Sequence, residues 1–127
     1  MITMNRAFML LLMLWLHVLA DFHLQDILAR MKQRSWWLSQ EGYGDRYRND
    51  WAIAMWIHAF EWTFVVMLPL MYRLNWQPTR NYILIFVGQM FIHAVVDHMK
   101  ANMRVLSLVG DQLIHVCQIL VIWCMIP

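Results

Sequence analysis

His93-Ala94-Val95-Val96-Asp97-His98-Met99-Lys100 is the stretch on which the fold turns. An imidazole, a carboxylate and an ammonium group stand four and three residues apart, and so share one helical face. They lie inside an apolar run from about Asn81 to Arg104. Ionisable side chains are costly in lipid, and a membrane helix that carries them turns them to a bundle interior or a polar cavity. Outward from this stretch the pairing repeats as His17/Asp21, His58/Glu61 and Asp111/His115, one pair in each of three further apolar runs.

Composition sets the class. Hydrophobic residues make up 61% of the 127 residues and charged residues 14%, against about 45–50% and 25% in a soluble domain. That leaves too little polar surface to coat a soluble globule, and the chain is expected in a membrane. Eight Trp and four Tyr suit a protein anchored at two membrane–water interfaces. Four spans of about 20 residues would nearly use up the length, so residues 1–127 are read as a single integral membrane domain. The net charge of +2, without a basic patch, argues against a nucleic-acid partner. Cys117 and Cys124 lie seven apart in the last run, beyond disulfide reach along one helix, and are read as small packing residues.

The expected class is all-α: a polytopic four-transmembrane-helix bundle with one interfacial loop. Its helices are expected over about 6–30, 51–73, 81–104 and 109–127. The first run mimics a signal peptide ending at Val18-Leu19-Ala20, but cleavage there would part His17 from Asp21, and it is read as the first span. Residues 31–50 mix aromatic with charged side chains and carry Gly42 and Gly44, which suits a headgroup-level loop or short helix. Asn49-Asp50 offers N-cap types for the second helix, and Pro69 is expected to interrupt it near its end. Asn75-Trp76-Gln77-Pro78-Thr79 is a tight connection, and Gly110-Asp111 marks the turn into the last helix. Arg30, Lys32, Arg34, Arg46, Arg48, Lys100 and Arg104 lie on one side and Arg6, Arg73 and Arg80 on the other, which puts both termini outside the cytoplasm.

Depth brings the pairs together. His17 and His93 lie about 11–13 residues from the cytoplasmic helix ends and His58 and His115 about six or seven, or about 9–20 Å at 1.5 Å per residue. All four imidazoles therefore fall in one half of the bilayer, and Gln25, Gln89, Gln112 and Lys100 extend their stripes. Imidazole and carboxylate are ligands of zinc, manganese and iron, and helical bundles build di-metal carboxylate sites from facing side chains. The expected metal ligands are His17, Asp21, His58, His93, Asp97, Asp111 and His115, around one or two divalent ions, zinc first, with manganese or iron as alternatives. Glu61 enters on helix geometry alone. Lys100 is read as the only fixed cation on these faces. A lone intramembrane His is usually hydrogen-bonded packing, and so a purely structural network or a proton or ion pathway competes with the metal site. His23, Asp26 and His98, at helix ends, are read as ordinary polar residues.

His17-x-x-x-Asp21-Phe22-x-x-Gln25, the later His58, His93-x-x-x-Asp97-x-x-Lys100 and Asp111-Gln112-x-x-His115 resemble the motif order of the bacterial and phage membrane proteins grouped as domain of unknown function 3307. More loosely, the chain is similar to small membrane-bound metal-dependent hydrolases. The resemblance implies an inner-membrane protein whose motif residues are the functional ones. The expected chemistry is metal-assisted hydrolysis of a lipid or lipid-linked ester or phosphate. Asp97 and Glu61 are candidate bases, and Lys100 is the group that steadies developing negative charge. The alternatives are a metal-ion or proton transporter or channel, and a non-enzymatic membrane interaction protein. No Gly-x-x-x-Gly face points to an oligomer.

Overall fold

A computed structural model describes residues 5–42 and 44–125, which are all-helical with no strand among them. Helix α1 spans Arg6–Val18 and runs into a wider π-type turn at Leu19–Leu24, followed by short helices α2, Leu28–Met31, and α3, Arg34–Leu38. A single 3₁₀ turn, Asp45–Tyr47, leads into α4, Asp50–Arg73; α5 is Arg80–Ala101 and α6 is Leu108–Cys124. Three helical segments, Arg6–Leu24, Asp45–Arg73 and Arg80–Ala101, are long and apolar enough to cross a membrane, whereas the apolar Leu108–Cys124 is shorter.

Local chemistry explains most boundaries. Asn5 Oδ1 accepts from the Ala7 amide at 2.8 Å, Thr79 Oγ1 from Tyr82 at 3.2 Å and Ser107 Oγ from Gly110 at 3.1 Å. Each satisfies one of the amides left bare at a helix start. The cap of α6 is therefore Ser107, and Gly110 and Asp111 fall within its first turn instead of before it. There the aligned peptide dipoles favour the Asp111 carboxylate. Asn49 precedes α4 with no side-chain cap, and α4 passes through Pro69 to Arg73. Proline costs the helix one bond, and Pro69 is buried among neighbours that hold the turn.

The first expected helix departs most from its sequence reading. Instead of one rod to residue 30, the chain widens over Leu19–Leu24 and breaks where Asp26 adopts φ 34°. A residue there with a Cβ needs a local reason, and Asp is among the types that tolerate the left-handed region. The segment after it folds back as α2 and α3. Asn75 and Trp76, at φ 52° and 60°, make the tight link from α4 to α5, and Arg104, at φ 57°, lies in the link to α6. The expected end of the last helix at residue 127 lies outside the described residues.

Helix α4 packs against α1 and α5, and α6 against α5 and α1, so the four long helices close a ring. One end of its interior is apolar: Met9 and Met13 from α1, Trp62, Val66 and Met67 from α4, and Ile119 and Ile122 from α6 are fully buried. The other end is polar, with His17, Asp21, Lys32, His58, His93, Asp97, Asp111 and His115 all buried. Phe8, Leu11, Ile57, Phe60, Phe91 and Leu113 face outward. Cys117 and Cys124 are free and exposed, so they do not pack in the interior.

Candidate metal centre

The paired residues meet at the polar end of the ring. The rings of His93 and His115 stack with centroids 4.2 Å apart, His58 lies 5.1 Å from His93, and His17 lies 5.7 Å from His115. The depth count from the helix ends thus anticipated one cluster. Asp21 reaches it from the π-type turn on α1. Such a turn adds a residue and re-aims the side chains that follow, a device common at functional sites.

Three groups of donor atoms could hold a metal ion: Asp21, His58 and His93; His93, Asp97 and His115; and Asp21, Asp111 and His115. Within each, the donors lie no more than 4.8 Å apart, and every residue is buried. His58 Nε2 stands 3.2 Å from Asp21 Oδ1 and 3.5 Å from Asp97 Oδ2. His115 Nε2 stands 3.4 Å from Asp97 Oδ1 and 3.4 Å from Asp111 Oδ1. Ligands at about 2.1 Å from one ion lie roughly 3–4 Å from each other, the spacing observed here.

Hydrogen-bonding partners sort the imidazoles. The Gln118 amide donates to the Gln89 carbonyl at 3.2 Å and to Gln89 Oε1 at 2.9 Å. A carbonyl can only accept, and so Gln118 Oε1 is the atom turned to His115 Nδ1, at 2.9 Å. His115 Nδ1 must donate, and in the neutral ring Nε2 is left with a bare lone pair facing carboxylate oxygens. His115 Nε2, Asp111 Oδ1 and His93 Nε2 are buried with no hydrogen-bond partner. Unpaired buried acceptors and donors each cost on the order of 1–3 kcal/mol, and a cation coordinated between them removes that cost. By that test the donor set fits a divalent metal. Nδ1 of His58 and of His93 has no partner among the described residues, so His115 alone of the three carries the supporting bond usual for a ligating histidine.

His17 belongs to a layer behind. Trp62 Nε1 donates to His17 Nδ1 at 2.8 Å, which leaves the other nitrogen, Nε2, to donate to Gln112 Oε1 at 3.0 Å. Gln112 in turn donates to Asp21 Oδ2 and to Asp111 Oδ2, both at 3.0 Å. With both nitrogens engaged, His17 stands outside the three donor groups and orients two of the carboxylates through Gln112. Glu61 also stands outside them: it is half-buried and joins none of the cluster's ion pairs among the described residues. One residue on, Trp62 fills the interior face of α4, its ring stacked 4.3 Å from that of His93.

Two ammonium groups, not one, serve the cluster. Lys100 Nζ donates to Asp111 Oδ2 at 2.7 Å, and Lys32 Nζ donates to Asp97 Oδ2 at 2.5 Å. Lys32 is held by Asn102 at the end of α5, whose amide donates to the Lys32 carbonyl at 3.0 Å and whose oxygen accepts from the Arg34 amide at 2.8 Å. In the sequence Lys32 reads as a loop charge. With Lys32 and Lys100 inside the site, the charge asymmetry between the two ends rests on Arg30, Arg34, Arg46, Arg48 and Arg104 against Arg6, Arg73 and Arg80. Gln25 donates to the Asp21 carbonyl, and His98 stacks on Trp51 with centroids 5.2 Å apart, away from the cluster. His23 and Asp26 are exposed.

A pocket of about 360 Å³ opens onto the cluster, lined by Gln25, Lys32, Gln33, Asp97, Lys100 and Arg104 among others. Beside it, an apolar groove of about 230 Å³ runs between α4 and α5 past Trp51, Met55, Trp56, Val95 and Met103. No family model, curated protein or solved structure matches the chain, so the resemblance to the domain of unknown function 3307 family rests on its motif residues alone.

Proposed function

We propose that the chain is an integral membrane protein that binds a divalent metal, zinc first, at the Asp21/His58/His93/Asp97/Asp111/His115 cluster and hydrolyses an ester or phosphate bond of a lipid or lipid-linked substrate. The membrane setting is supported by the exterior: large apolar side chains such as Phe8, Leu11, Ile57, Phe60 and Phe91 cover it, while the buried ionisable residues among those described gather at one end of the interior. Lipid favours that arrangement and water does not. At 17 residues, α6 sits at the lower limit of about 17 for a span, and with it the four long helices would cross the bilayer.

The observation that carries the metal reading is the set of unpartnered donors His93 Nε2, His115 Nε2 and Asp111 Oδ1, buried together at one end of the ring. A bound divalent ion supplies a Lewis acid and a water acidic enough to ionise near neutral pH. Asp97 lines the open pocket and would hold the ion where a substrate arriving through that opening can reach it. Lys100, one-third exposed at the same mouth, faces the side from which an anionic group would arrive. Lys32 holds Asp97 in place. The apolar groove between α4 and α5 offers an acyl chain a path beside the mouth.

The test is reconstitution in phospholipid vesicles doped with phosphate-monoester and carboxylic-ester lipids, with release of phosphate or fatty acid followed over time. Activity that a chelator abolishes, zinc or manganese restores and Asp97→Asn removes is the expected result. Ion flux through the same vesicles with no lipid hydrolysed would replace the hydrolase by a transporter.

A further inference from the structure

We infer that the cluster is built for two divalent ions, with Asp21 and Asp97 each bridging them through its two oxygens. The inference rests on the metal reading above and adds to it the number of ions and the division of their ligands. On one side of the two carboxylates, Asp21 Oδ1 faces His58 Nε2 and His93 Nε2 at 3.2 and 3.9 Å, and Asp97 Oδ2 faces the same two nitrogens at 3.5 and 3.8 Å. On the other side, Asp21 Oδ2 lies 4.0 Å and Asp97 Oδ1 3.4 Å from His115 Nε2, with Asp111 Oδ1 a further 3.4 Å contact of that nitrogen.

By their closest contacts the donors divide into two sets without sharing an atom, with His93, Asp97 and His115, within 4.8 Å of one another, at the seam between the sets. The first set is His58, His93, Asp21 Oδ1 and Asp97 Oδ2; the second is His115, Asp111 Oδ1, Asp21 Oδ2 and Asp97 Oδ1. Four protein donors is the number a tetrahedral ion takes, and a carboxylate with about four lone-pair positions can serve two ions. A single ion would satisfy one set and leave the other's nitrogen lone pairs aimed at carboxylates. Further lone pairs of the bridging and terminal acids have partners of their own: Lys32 sits on Asp97 Oδ2, Lys100 on Asp111 Oδ2, and Gln112 on Asp21 Oδ2 and Asp111 Oδ2. The two sets differ in character, the first with two imidazoles and two oxygens, the second with one imidazole and three oxygens, and so the first should prefer the softer ion.

Titration of chelator-stripped full-length protein in detergent micelles with Mn(II), read by electron paramagnetic resonance and by free-metal concentration, tests this. Two equivalents bound per chain, with the exchange-broadened spectrum of a coupled pair, are expected. Asp111→Asn should bind one equivalent with an uncoupled six-line spectrum, its fold checked by gel filtration and helical circular dichroism. One equivalent in the unaltered protein, or two without coupling, overturns the bridged pair while leaving the metal reading intact; no bound manganese and no bound zinc overturns both. The unaltered protein decides the count even if Asp111→Asn does not fold.

Discussion

Trp62 donates its indole N–H to Nδ1 of His17 at 2.8 Å, and this bond separates His17 from the other three imidazoles of the cluster. His17→Ala should therefore keep the full metal stoichiometry and weaken affinity by roughly 10–100-fold, the usual cost of losing an outer-layer partner. His115→Ala should lose metal outright from its set. Competition against a fluorescent zinc chelator measures both. Equal loss of stoichiometry in the two variants would return His17 to the ligands.

Gln118 presents an acceptor to His115 Nδ1 at 2.9 Å. Gln118→Leu removes it and should lower metal affinity by roughly 10–100-fold, while Gln118→Glu, which keeps an oxygen there, should retain most of it. A leucine variant with unchanged affinity would mean that the ring is oriented by packing alone.

The Lys32–Asp97 pair is buried on both sides, with side chains 9% and 2% exposed. Lys32→Met leaves a buried carboxylate without its cation and should destabilise the metal-free protein by about 3–5 kcal/mol. Added zinc should recover much of that loss, because an ion on Asp97 supplies the missing positive charge. Thermal unfolding in detergent with and without zinc measures both effects. An unchanged melting temperature without metal would deny the pair its role.

Charge in the site would also select the substrate of the proposed hydrolase. Two bound divalent ions would bring four positive charges and Lys32 and Lys100 two more, against the three carboxylates Asp21, Asp97 and Asp111. In a low-dielectric interior such an excess favours an anion. Inorganic phosphate should bind the metal-loaded protein and not the stripped one, and Lys100→Met should weaken it by about tenfold, read by calorimetry. Equal binding to both forms would place phosphate elsewhere. Glu61→Gln, outside the donor groups, should change neither metal nor phosphate binding and should shift stability by no more than about 0.5 kcal/mol.

Much of the site was legible because a helix converts spacing into position. Asp97 and Asp111 sit four residues from His93 and His115, so each pair had to share a face, and counting from helix ends put the pairs at similar depth. The same rule failed for Glu61, because only the packed ring reveals that Trp62, with a hydrogen bond to His17 and a stack on His93, takes the interior face of α4. Lys32 was hidden by a different cause. Its position depends on a break at Asp26 and on Asn102, seventy residues away, which donates to the Lys32 carbonyl and accepts from the Arg34 amide, and no local pattern reports such a contact. Pro69 reads as an interruption near the end of its helix, but α4 continues through it to Arg73, because a proline's local cost is smaller than the packing that surrounds it.

Metal content is the most direct measure of the central claim. Protein purified in detergent without chelators and analysed by inductively coupled plasma mass spectrometry should carry zinc, manganese or iron in stoichiometric amount. A His93→Ala/Asp97→Asn variant that elutes and folds like the parent should carry little or none. Parent protein free of transition metal, and unable to take up zinc or manganese on dialysis, would contradict the account.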